Sequence, residues 1–115
     1  MKKTIIAAAA IVTMSFMASS APAQTGTYFL AEKLNEFCQQ KTGSEGDAIC
    51  VGYVTAIADV MDKYALYGWS SCIPEEAEIG QLTKIVTLWL KNNPDDHGYT
   101  ANSIVAEALT AAYPC

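Results

Sequence analysis

From residue 27 onward, apolar side chains recur every three or four positions in four successive stretches, and none alternates with period two over a strand's length. This pattern predicts an all-α fold. A first helix over 27–41 places Leu30, Leu34, Phe37 and Cys38 along one face and ends at Gly43, Ser44, Glu45 and Gly46. A second over 48–66, with Asp47 as N-cap, carries the longest stripe: Cys50, Tyr53, Val54, Ile57, Val60, Met61 and Tyr64. Tyr67 to Cys72 break the periodicity. Pro74 followed by Glu75 and Glu76 predicts a third helix start, because Pro suits the first turn and acids suit its positive end. Its core face is Ile79, Leu82, Ile85, Val86, Trp89 and Leu90, and it stops at Asn92, Asn93, Pro94 and Asp95. After a polar loop, Thr100 caps a last helix whose inward residues are Ile104, Val105, Ala108, Leu109 and Ala112. Tyr28, Phe29 and Trp89 are assigned to the core.

Residues 1–23 fit no part of this pattern. Lys2 and Lys3 precede an uncharged apolar run to about Ala18, and Ala21, Pro22 and Ala23 form a small-x-small site before Gln24. The run is shorter than the roughly 20 residues of a spanning helix. These residues are expected to be a secretory signal peptide cleaved after Ala23, leaving one all-α domain over 24–115, exported to the periplasm and not inserted in the membrane.

In the exported part five lysines (Lys33, Lys41, Lys63, Lys84 and Lys91) stand against twelve acids and no arginine, a net charge of −7. Nucleic acid is excluded as a partner, since phosphate binding draws on clustered Lys and Arg. Four cysteines, Cys38, Cys50, Cys72 and Cys115, without a Cys-x-x-Cys, read as a disulfide framework rather than a redox pair or zinc knuckle. Cys38 ends the first helix and Cys50 begins the second; Cys72 precedes the third and Cys115 follows the fourth. Antiparallel hairpins bring each pair together, so the expected pairing is Cys38 with Cys50 and Cys72 with Cys115, each stapling one hairpin. Closing the two loops contributes roughly 3 and roughly 4 kcal/mol by the chain-entropy model, against a total stability of about 5 to 10 kcal/mol.

The landmarks together resemble the Rap/Tai immunity family of type VI secretion. They are Cys50, Val51, Gly52, Tyr53 with Asp59 downstream, Cys72, Ile73, Pro74, then Gly80, Gln81, Leu82, then Asn93, Pro94, and the closing Tyr113, Pro114, Cys115. Ala56 stands where the family has a second glycine. The resemblance implies an all-α periplasmic protein with two disulfides, often a homodimer, that binds and blocks a peptidoglycan amidase effector.

No catalytic constellation is expected, nor a cofactor or metal. His97 is the only histidine and sits in a polar loop, and no nucleophile motif brings Ser, His and Asp together. The carboxylate pairs Asp59 with Asp62, Glu75 with Glu76, and Asp95 with Asp96 read as solvated face, helix start and turn. Two candidate binding surfaces stand instead. Gly52, Ala56, Asp59 and Lys63 align opposite the apolar stripe of the second helix, with a charge pair at i and i+4; this is either a candidate dimer or partner face or plain solvent-facing surface. Tyr67 and Trp69 in one loop, and Asp95, Asp96 and Tyr99 in another, are candidate partner contacts, aromatics being enriched at interface hot spots. Trp69 has a second reading, as a lid over the Cys72 disulfide. The alternative function is a periplasmic stress protein or holdase that exposes apolar surface on acidification.

Overall fold

The computed structural model describes residues 28–115, with Ala9 alone before them. The signal peptide expected over 1–23, its cleavage point and the start of the first helix at 27 lie outside the described residues. Among those described, four α-helices and one short 3-10 turn make up the fold: α1 Ala31–Cys38, α2 Glu45–Met61, α3 Ile79–Asn92, the 3-10 turn Pro94–Asp96, and α4 Ala101–Ala112. All six helix pairs touch, so the two hairpins share one core instead of each making its own. Leu34, Cys50, Val54, Val86, Leu90, Val105 and Leu109 are its largest fully buried members.

Both expected disulfides are present. Cys38 and Cys50 join the end of α1 to the first turns of α2, with Cα atoms 5.1 Å apart. Cys72 and Cys115 join the approach to α3 to the residues after α4, at 5.0 Å.

Several helix ends differ from the sequence expectation, each for a local reason. The α2 N-cap is Ser44, not Asp47: its Oγ accepts the Asp47 N–H at 3.2 Å, while Asp47 Oδ2 accepts the Gly43 N–H at 2.9 Å. Asp47, three residues inside the cap, thus reaches one residue further back than in a capping box, while the Ser44 N–H donates to the Lys41 carbonyl. Gly46 therefore lies within α2 and is buried, and Gly43, at φ 84°, is the glycine the turn requires. Pro74 closes only one turn, through the Ala77 N–H to the Pro74 carbonyl. Glu78 is then extended (ψ 147°), so α3 starts at Ile79.

The core faces hold, with edits. Ala58 and Thr83 are buried members the periodicity did not single out, and Val60, Tyr64, Ile79 and Ala112 are exposed. Tyr28, expected in the core, is 89% exposed. Its neighbour Phe29 does pack inward, stacked on Tyr53 with centroids 5.5 Å apart.

The starts of α1 and α4 cap each other. Ala31 and Glu32 donate their N–H groups to the carbonyls of Tyr99 and His97, and Ala101 donates to Phe29, around a bridge between Leu30 and Thr100. Helix starts leave such donors without partners, and here the 97–100 loop and residues 29–30 supply them.

Candidate partner-binding site

The chain between α2 and α3 makes a tight reversal. Leu66 and Trp69 exchange both backbone hydrogen bonds at 2.9 Å around Tyr67 (φ 52°) and Gly68 (φ 81°). Two positive φ angles in a two-residue loop are the pattern of a type I′ turn. Gly68 adopts it freely; Tyr67 is the only non-glycine residue at positive φ among those described. Past the turn, the Ser71 hydroxyl reaches the Leu109 carbonyl at 3.1 Å, and the Cys72 N–H donates to the Tyr113 carbonyl at 2.9 Å. The turn is thus anchored on α4 by hydrogen bonds and then by the second disulfide.

The 93–99 loop is pinned from the other side. His97 Nε2 lies 2.7 Å from the Leu90 carbonyl and Asn93 Nδ2 donates to the Trp89 carbonyl at 2.8 Å, both holding the end of α3. The half-buried His97 therefore has a structural partner, unlike the solvated loop histidine expected.

These two loops, 30 residues apart in sequence, meet. Trp69 from the turn and Asp96 and Tyr99 from the loop line one open concavity of 290 Å³, completed by Ser103, Ile104 and Glu107 of α4. Tyr67 stands beside it, its hydroxyl accepting from Asn102 Nδ2 at 3.1 Å. Trp69 is 40% exposed, Tyr67 62% and Tyr99 63%. Asp95, the other loop candidate, is exposed and does not line the concavity. The loops can be picked out from their aromatic and turn residues, but Ile104 has the pattern of a core residue and nothing local marks Ser103 or Glu107.

Tyr53 lies behind this surface. Burial, then the Tyr67 phenol, push its own phenol above the ordinary tyrosine value, and a hydrogen bond from the Asn102 backbone pulls the other way.

Of the candidate dimer face, Gly52, Ala56 and Asp59 lie exposed on α2, while Lys63, also exposed, falls beyond the helix end at Met61. Its expected charge pair is not made, because Lys63 turns to its neighbour Asp62 at 2.9 Å. Among the described residues no group of His, Cys, Asp or Glu stands close enough to hold a metal ion. No helix among them is long and apolar enough to cross a membrane.

A four-helix core locked by two disulfides, carrying an aromatic concavity at the meeting of two pinned loops, defines a small disulfide-stapled helical domain. The chain belongs to the Rap1a immunity proteins, whose family model matches residues 25–115. No curated protein and no solved structure matches it significantly. An immunity protein acts by binding a secreted effector, a role that requires no turnover by the chain itself.

Proposed function

We propose that this chain is exported through residues 1–23 to the periplasm, where it binds a type VI secretion peptidoglycan amidase and occludes its substrate groove. The observation that carries this reading is the convergence of Tyr67, Trp69, Asp96 and Tyr99 on one surface whose backbone is already held. Occlusion needs a surface that loses little freedom on docking, and pinned loops supply it. Membership of an immunity family supports the effector as partner.

The test is co-expression with an exported amidase encoded beside this gene, followed by calorimetry and a peptidoglycan-digestion assay. A stoichiometric complex that blocks digestion is expected. The Trp69→Ala variant should lose roughly thirtyfold in affinity, about 2 kcal/mol, with its melting temperature only slightly lowered. If no envelope amidase or neighbouring effector binds more tightly than about 1 μM, a binding free energy of about −8 kcal/mol, the immunity reading against an amidase fails. Apolar dye binding on acidification would then favour the holdase.

A further inference from the structure

We infer that the concavity between the 66–69 turn and α4 is a subsite for one arginine side chain of a protein partner. That the arginine arrives on a protein rests on the partner-binding reading above; the chemistry of the subsite stands on its own. Asp96 and Glu107 enter the lining as half-buried carboxylates. Among the described residues the ion pairs are Lys33 with Glu36 and Lys63 with Asp62, so neither lining carboxylate has a cation partner, and neither accepts a side-chain hydrogen bond. No lysine lines the space. Two acidic side chains beside one concavity, with no cation of their own, give it a negative character.

Helix polarity does not account for Glu107. Glu107 lies beyond the first turn of α4, where the dipole has faded, and the Ala101 N–H is already taken by the Phe29 carbonyl.

The rest of the lining selects the cation. Trp69 and Tyr99 offer aromatic rings on which a guanidinium stacks, with Ile104 against its aliphatic stem. Guanidinium is planar and weakly hydrated and forks onto carboxylates, so it fits this set better than a compact ammonium ion.

Titration of the folded protein with Nα-acetyl-arginine amide, followed by proton–nitrogen NMR, tests the subsite, with Nα-acetyl-citrulline amide as the uncharged analogue. The arginine probe should shift the Trp69 indole N–H and the Asp96, Tyr99 and Glu107 amides saturably. The citrulline probe should bind about tenfold more weakly, and so should the arginine probe to an Asp96→Asn, Glu107→Gln double variant. Both substitutions keep shape, and the α2 and α3 amides report that the fold is intact. Equal binding of the two probes would overturn the inference, as would shifts spread equally over Asp59, Asp62 and Glu75. Saturable arginine binding by a chain that blocks no amidase would remove the proposed effector and keep the subsite. An amidase inhibitor indifferent to arginine would do the reverse.

Discussion

Replacing Tyr67 by asparagine and, separately, by alanine isolates the backbone strain stored beside the concavity. Both variants lose the ring and the hydrogen bond from Asn102, so their side-chain losses are closely matched. They differ in the backbone. At φ 52° a side chain with a Cβ pays roughly 1–2 kcal/mol for the left-handed region, a cost asparagine largely escapes because its amide bonds locally. The asparagine variant should therefore be more stable than the alanine variant by about 1 kcal/mol, or about 4–8 °C in melting temperature for a domain of this size. Relative to the native chain, strain relief in Tyr67→Asn works against a lost exposed hydrogen bond of about 1 kcal/mol and some lost apolar contact. Its melting temperature should stay within about 5 °C of native, while Tyr67→Ala falls clearly below. Circular dichroism melts at matched concentration measure the difference. Alanine equal to or above asparagine would show that the turn does not hold Tyr67 in this conformation. Partner affinity should drop alike in both, since it depends on the ring.

Ser44→Ala should cost about 1 kcal/mol, read by denaturant titration, because it leaves the Asp47 N–H without its cap. Gly52→Ala should stabilise the isolated chain by about 0.5–1 kcal/mol, since a Cβ there meets nothing and helix propensity rises; a lower melting temperature would mean that another backbone covers this face. For Tyr53, the raised phenol contributes stability that is fully present below the ordinary tyrosine value and is lost as pH rises through the folded value. Alkaline melts should therefore fall less steeply for Tyr53→Phe. Replacing Cys72 and Cys115 together by serine should cost roughly 4 kcal/mol, visible as a lower urea midpoint.

Helix order, core faces and disulfide pairing were legible in the sequence because each follows from local periodicity plus the shortest connection between antiparallel helices. Cys50, Val54 and Met61 lie at helical spacing, and that spacing is a property of the chain. Helix ends were less legible. Ser44 with Asp47 is a capping-box signal in Ser-x-x-Asp form, but Asp47 alone drew the cap because it directly precedes the apolar stripe. The Leu66 to Trp69 reversal carries no Asn-Gly signature, and Tyr67 occupies a position that sequence statistics give to other residues. Periodicity alone accordingly extends the second helix through Leu66. Convergence of the two aromatic loops had no local signature at all, since residues 69 and 99 meet only through the packing of α3 and α4.

The two disulfides hold different things. Cys38 and Cys50 close a short loop between α1 and α2, both cysteines are buried, and neither they nor the residues between them line the aromatic concavity. Their constraint is spent on the core. Cys72 and Cys115 are exposed and contribute little packing, yet Cys72 lies three residues past Trp69, with Ser71 and the Cys72 N–H bonded to the end of α4. Between Tyr64, whose N–H still bonds to the Val60 carbonyl of α2, and this anchor, the Leu66 to Trp69 turn and its contacts fix the chain. The second disulfide and these hydrogen bonds together hold the segment after Trp69 against α4, whose Ile104 and Glu107 line the same concavity. The loop carrying Asp96 and Tyr99 reaches that concavity by another route, through the Leu90 carbonyl and the start of α1. A surface assembled from two anchored loops loses little freedom on docking, which suits a domain of a family that binds a secreted effector.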